Sequence, residues 1–472
     1  SIYELSYCVC DIANSHKDIF MSTCDTVVRG RGQAVAAEWA IGYRSCNDAV
    51  REEEMSENQS QQSPSSPWSA RPYHRKWLLA QADGLFDFFQ GPAINPKGGF
   101  YDLSRDGKPL ATDNPARGIH ASARMVHCYA IGHLLGRPGA ADIVDHGMRY
   151  LWERHRDEKN GGYFWQADDT GAADDTKQGY GHAFVLLAAS SAKCIGHPLA
   201  DAMLADITQV IEEKFWEESH GAIAEEFSTD WQPVPGYRGQ NSNMHLTESL
   251  MAAFEVSGER HYLTKAERIA DLIINRRARE EAFRVAEHFD ENWVVDRNYY
   301  HPNEMFRPAG TTPGHWLEWA RLLLQLWVLG NKQHAWMPEA ARGLFFQSMA
   351  LGWDKEKGGF FYTLDWANAR DKRAKLWWPL CEGAAAVHFL NQHQESDFHE
   401  ESYRKIWNYI AGNSLDREHG GWFEELTEDG KPSNSLFPGK GDIYHALQAC
   451  LIPLFPAEGS LTKMIAENPL AV

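Results

Sequence analysis

A glycine pair followed by an aromatic residue recurs along this chain at a nearly fixed distance, and that recurrence limits the fold more than any other feature. Lys97-Gly98-Gly99-Phe100 and Asn160-Gly161-Gly162-Tyr163 stand 63 residues apart, while Lys357-Gly358-Gly359-Phe360 and His419-Gly420-Gly421-Trp422 stand 62 apart. The 197 residues from Gly161 to Gly358 hold about three further units, with a degenerate copy at His220-Gly221-Ala222-Ile223. A unit of this length cannot bury its apolar face alone, so a repeat demands an array whose neighbours cover one another. After the glycines come short alternating runs such as FYDLSRDGKP and WFEELTEDGKP, which read as β-hairpins with Asp-Gly turns.

Between these marks the spacing of apolar residues is helical. It predicts helices over 73–89, 119–134, 138–154, 180–194, 198–215, 244–257, 260–277, 314–330, 334–351, 379–392, 398–412 and 442–454. In most pairs one helix is apolar all round, as in AFVLLAASSA and AAAVHFL, and its mate carries charge on one face, as in DAMLADITQVIEEKF. A helix apolar on every side is buried. Six buried helices, each with an amphipathic partner, close most simply as two concentric rings: an all-α fold, an (α/α)6 barrel of six helix pairs over 73–456 with short β-hairpins in the connecting loops. An open helical solenoid is the alternative. This array supersedes the three domains that 472 residues would otherwise suggest.

Composition removes whole classes of function. With 46 Lys plus Arg against 65 Asp plus Glu, the net charge of −19 offers no basic face for nucleic acid and no polybasic membrane anchor. No apolar run is long enough to span a bilayer, and no secretory core stands near Ser1, so a cytoplasmic enzyme is expected. The eight cysteines lack paired zinc spacings and read as free thiols. Residues 1–72 read as an N-terminal extension, poorly structured or non-native. Residues 55–72 are a Ser/Gln/Pro-rich polar stretch, and Met55 is a candidate natural start. Residues 457–472 read as a C-terminal tail.

One polar residue per unit interrupts the apolar inner helices: Arg124, His182, His245, His315, Glu382 and His445, at gaps of 58, 63, 70, 67 and 63. Burying such groups is costly unless they are paired or functional. Equal repeat positions in a closed ring lie at equal heights, so all six are expected to line one pocket. Three have a carboxylate on the same helix face: Glu318 three residues after His315, Glu248 three after His245, and Asp442 three before His445. His315 follows Thr312-Pro313-Gly314, a helix start whose positive end favours the neutral imidazole that a base requires.

Histidines and carboxylates with one Arg, set among 18 Trp, 17 Tyr and 22 Phe, suit an uncharged polyol held by hydrogen bonds and stacked on aromatic faces. Histidine bases near neutrality move protons, at about 10²–10⁴-fold each. No phosphate loop or dinucleotide motif is present; the two-His, two-carboxylate content also permits a metal site, which the lack of HExxH or a Cys/His cluster and the spread of one polar group per helix disfavour. Cofactor-independent proton transfer on a sugar fits best. A glycosidase with Glu318 and Glu382 flanking a bond, and a non-catalytic sugar-binding module, are the rival classes.

At ARMVHCYAIGHLLGRPGAADIVDHG, DTKQGYGHAF, YRGQNSNMH, EHFD, TPGHWLEW, WWPLCE and GKGDIYH the sequence resembles the N-acylglucosamine 2-epimerase superfamily, and within it the aldose–ketose isomerases of mannose and sulfoquinovose. The resemblance covers 73–456 and implies the same (α/α)6 barrel. Carried over position by position, it places catalytic histidines at His315 and His445, with Glu318 orienting His315. It places substrate contacts at Arg124, Tyr180, Asn241, His245, Trp378 and Glu382. It implies a monosaccharide substrate, no metal and no cofactor, and leaves a homo-oligomer open. Sulfoquinovose isomerases carry an arginine where this chain has Met305 and a glutamine where it has Gly441. His120 stands where some relatives have tryptophan. An unmodified hexose is therefore expected, mannose to fructose with lyxose to xylulose as a second pair; a sugar 2-epimerase of N-acylglucosamine or cellobiose type, or a sulfoquinovose isomerase, is the alternative.

Overall fold

A computed structural model describes residues 66–302 and 305–469. The expected helices form as α1 Pro72–Phe89, α2 Ile119–Leu134, α3 Ala140–Tyr150, α4 Gly179–Cys194, α5 Ala200–Val210 and α6 Gln240–Ser257. They continue as α7 Arg260–Ala270, α8 Pro313–Leu329, α9 Trp336–Gln347, α10 Trp377–His393, α11 Asp397–Tyr409 and α12 Tyr444–Leu451. A thirteenth, α13 Leu461–Glu467, follows.

Helices α2, α4, α6, α8, α10 and α12 pack side by side as an inner ring, and each outer helix lies against an inner one. Burial separates the two sets. Every residue of α4 from Gly179 to Ala192 is buried, whereas α3 buries only Ala140, Ile143, Val144, Gly147, Met148 and Tyr150 along one face. The ring closes because the first helix, α1, packs against the last inner helix, α12, where Arg75 donates to the Pro453 and Leu454 carbonyls. Closure thus joins the two ends of the repeat. No helix among the described residues is long and apolar enough to cross a membrane.

The tail reading of 457–472 is corrected. Ser460 caps α13, which buries Leu461, Met464 and Ile465 and packs against α2 and α4 at the C-terminal ends of the inner helices. The expected N-terminal extension is described only from Ser66, with a short 3-10 turn at Trp68–Ala70; residues 1–65, Met55 included, lie outside the described residues.

Long connections gather at the other end, where the inner helices begin. Two- and three-residue strands there pair between units: β1 (Arg117–Gly118) with β2 (Gln166–Ala167), β2 with β3 (Ala172–Asp174), and β4 (Lys177–Gln178) with β7 (Glu226–Phe227). Further round, β5 (Trp216–Glu217) pairs with β6 (Ala222–Ile223), β8 (Arg238–Gly239) with β9 (His288–Phe289), and β10 (Lys375–Leu376) with β11 (Glu425–Leu426). The Asp-Gly hairpins close at Leu103–Pro109 and Leu426–Pro432. At the glycine pairs the reason for glycine is direct: Gly358 and Gly359 both have φ near +76°, and a Cβ on Gly359 would stand 2.8 Å from the Tyr409 ring.

A buried ion pair fastens each of three glycine loops to the extended residues before the next inner helix. Lys177 Nζ meets Asp157 at 2.8 Å, Lys375 meets Asp354 at 2.8 Å, and Lys440 meets Asp416 at 2.8 Å. The second oxygen of each aspartate accepts two backbone N–H groups of its own loop, such as Lys159 and Asn160 on Asp157. These staples set the height at which each inner helix starts, and so the height of the side chains on its first turns.

Candidate active site

On the first turns of α8 and α12, His315 and His445 flank the indole of Trp378, whose ring lies 4.8 Å from the first imidazole and 6.0 Å from the second. Trp378 can lie there because residue 314 is glycine; any Cβ at that position would overlap the indole. Each imidazole is held by a buried carboxylate from elsewhere in the chain. His315 Nδ1 lies 2.9 Å from both oxygens of Glu287, just before β9, and His445 Nδ1 lies 2.9 Å from Glu382 Oε1 on α10. A carboxylate can only accept, so both rings carry their proton on Nδ1 and keep the Nε2 lone pair. Gln240 secures the first pair: its amide donates to Glu287 Oε2 at 3.0 Å and its carbonyl accepts from Trp319 Nε1 at 2.8 Å.

The two carboxylates differ in their other neighbours. Glu382 Oε2 accepts from Arg321 Nε at 2.9 Å, whereas Glu287 meets the Gln240 amide. Burial would raise both carboxyls, yet His315 and Gln240 hold Glu287 below the usual range, and Arg321 and His445 do so for Glu382. Arg321 also reaches Glu248 Oε1 at 3.3 Å, and the Tyr444 hydroxyl donates to Glu248 Oε2. On α2, Arg124 donates to the Tyr180 hydroxyl at 2.9 Å and to Asp442 at 3.3 Å, its guanidinium lying over Phe184 and Tyr444. His245 stacks edge-on to Tyr180, and burial together with Arg124 pushes its imidazole down to about 3. A cavity of about 210 Å³ opens against Tyr180 and Asn241, with Trp165 and Phe306 as apolar walls and Glu225 and Arg307 among its polar ones. Phe306 also packs edge-on to His120, which stacks on Trp165.

The chain that carries these two imidazoles is matched among known proteins over most of its length. Residues 98–449 fit the family described as N-acylglucosamine 2-epimerase (GlcNAc 2-epimerase). The chain belongs to the N-acylglucosamine 2-epimerase family. It is 40% identical over 409 residues to a D-mannose isomerase of Pseudomonas cannabina pv. alisalensis, covering 85% of this chain and 97% of that one. With a D-mannose isomerase of Thermobifida fusca it shares 38% over 409 residues, covering 84% and 98%. A crystal structure of D-mannose isomerase superposes with a TM-score of 0.76 at 31% identity, covering 82% of this chain and 99% of that one.

As a member of the N-acylglucosamine 2-epimerase family, the chain departs in two places from what its spacing predicts. Glu318 does not orient His315. Neither of its oxygens accepts a hydrogen bond; His245 Nδ1 stands 3.6 Å away and Arg321 Nη2 3.8 Å away, and Glu287 does the orienting. His182 does not join the ring of pocket residues. Its Nε2 accepts the Tyr163 backbone N–H at 3.0 Å and its Nδ1 donates to the Gln178 carbonyl at 2.8 Å, so it supports its own glycine loop. The cause is helix phase. Arg124, His245 and Glu382 each stand seven residues after the first residue of the strand before their helix (Arg117, Arg238 and Lys375), while His182 stands five after Lys177. Two residues turn a helix by more than half a revolution, and Tyr180 takes the pocket position in that unit.

The same-helix pairs are loose: His245–Glu248 is 3.9 Å and His445–Asp442 is 3.9 Å. Glu287, Gln240 and Arg321 escaped the spacing argument. A signal existed for Arg321, a charge within the apolar run WLEWARLLLQLW that must find buried partners. Two triads, His245–Glu248–Glu318 and Glu318–Glu382–His445, bring ligand atoms within 4.8 Å of one another. As metal sites they fit poorly, because Arg321 already occupies Glu248 and Glu382 and a cation would have to displace it. The described cysteines 128, 194, 381 and 450 are free.

Proposed function

We propose that this protein is an aldose–ketose isomerase that interconverts mannose and fructose, with lyxose and xylulose as a second pair, by histidine-mediated proton transfer without a metal or nucleotide cofactor. The observation that carries the reading is the pair of imidazoles about Trp378, each with Nδ1 committed to a buried carboxylate and Nε2 left as a base. The names of the relatives that match nearly their whole length support the same substrate class.

In this reading the opened sugar lies along Trp378 within reach of Arg124, Tyr180, Asn241 and His245. His315 Nε2 takes the proton from C2, giving a cis-enediolate whose negative charge rests on O1. The proton then returns to C1 while a proton passes from O2 to O1, leaving the ketone at C2. His445 serves ring opening and the oxygen protons. Glu287 holds the His315 ring in place and stabilises its imidazolium, because the positive charge forms beside a fixed carboxylate. Met305 and Gly441 leave an anionic C6 group without a cation or an amide at those positions, which favours the unmodified hexose.

Incubation of the full chain with mannose and EDTA, followed by sugar chromatography, tests the proposal. Fructose accumulating to a fixed ratio is the expected result. Glucose without ketose would establish a 2-epimerase instead, and hydrolysis of a mannoside would establish a glycosidase.

A further inference from the structure

Below the two histidines three glutamates meet around one guanidinium. A Glu318 carboxyl oxygen lies within 4.8 Å of Glu382 and His445, and one also lies within 4.8 Å of Glu248 and His245. Arg321 gives its hydrogen bonds to Glu382 and Glu248 and stands 3.8 Å from Glu318. Arg124, the other arginine here, is engaged by Asp442 and Tyr180. Tyr444 gives its hydroxyl proton to Glu248. Glu318, only 1% exposed, is left with two oxygens and no donor.

Like charges this close in a buried site cannot all ionise, and the proton settles on the group with the poorest partners. We propose that Glu318 is a resident carboxylic acid: neutral in the resting enzyme, it uses its O–H to donate a hydrogen bond to the sugar oxygen that turns negative as the proton leaves carbon. The inference rests on the isomerase reading for its role but not for the protonation itself. A neutral acid also reconciles the charge balance, since an anionic enediolate beside three ionised glutamates would be opposed by all of them. Burial, then the neighbouring Glu382, pushes the Glu318 carboxyl well above its usual range, while Arg321 holds Glu248 and Glu382 below theirs.

Infrared difference spectra of the full chain at neutral pH, natural protein against Glu318→Gln, test the protonation. The expected result is the C=O stretch of a protonated carboxyl, lost in the variant. A spectrum unchanged by the substitution overturns the proposal, whether or not mannose is turned over. Kinetics test the role, with melting temperatures recorded alongside. Glu318→Ala loses about 10²–10³-fold in kcat with a small change in KM, as for removal of one oxyanion donor. Glu318→Gln, which restores a neutral N–H donor of the same length, recovers about tenfold of that loss. A Gln variant as slow as the Ala variant overturns the donor role.

Discussion

Two sets of buried ionic groups, the staples of the glycine loops and the chamber where Glu248, Glu318 and Glu382 lie near His315 and His445, behave in opposite ways. Around the mouth of the barrel, Asp157, Asp354 and Asp416 each meet one lysine and two backbone N–H groups, so every charge is matched. Burial would raise these carboxyls, but the lysine and the backbone donors outweigh it and hold all three low, Asp157 at about 2. In the chamber, three glutamates share one arginine and a carboxyl is left without a donor. Balanced burial fixes a loop and leaves no chemistry over. Unbalanced burial stores reactivity, because the unmet group waits for a ligand or holds a proton.

The largest effect that would sharpen this contrast belongs to the chamber. His315→Ala is expected to lower kcat by about 10³-fold with the melting temperature retained; a variant still turning over mannose at a tenth of the natural rate would remove the histidine from the mechanism. Next comes a staple. Lys375→Met leaves the Asp354 carboxylate buried and alone, and should lower the free energy of unfolding by about 3–5 kcal/mol in a urea titration. Its folded fraction loses far less kcat than the chamber variants, and Lys375→Met with Asp354→Leu recovers most of the stability. A loss of rate equal to that of the chamber variants would erase the distinction between the two sets.

A smaller effect is expected at the carboxylate that orients the base. Glu287→Gln keeps the shape but removes the charge beside the imidazolium, for a loss of about 10–100-fold in kcat and little change in stability. The smallest concerns Glu255, two turns beyond Glu248 on α6, which accepts the Ser460 backbone N–H at 3.0 Å and anchors α13. Burial raises its carboxyl to about 7 from 4.5, so between those values the folded protein binds more protons than the unfolded one. Stability contributed by the protonated group is therefore full below about pH 4.5, falls as pH climbs towards 7, and is level beyond. Melting curves across that window should show the decline in the natural protein and lose it in Glu255→Gln, with kcat unaltered in both.

The sequence determined the ring. Glycine pairs at 62- and 63-residue spacing and alternating apolar and amphipathic helices leave a unit that only its neighbours can cover, so the barrel, its twelve helices and its Asp-Gly hairpins were legible without coordinates. The sequence also marked one polar residue in each inner helix, because a charge or imidazole in an apolar run stands out. The tertiary structure decided which of these meet. Glu287 lies 28 residues from His315, Glu382 63 from His445 and Arg321 61 from Glu382, on separate segments that only the packing of neighbouring units brings side by side. Spacing along one helix suggested Glu318 for His315 and set His182 among the pocket residues. Both fail for the same physical reason: a side chain's partner depends on the rotation of its helix about its own axis, which the buried staples and the packing of neighbouring helices fix and no gap between histidines records.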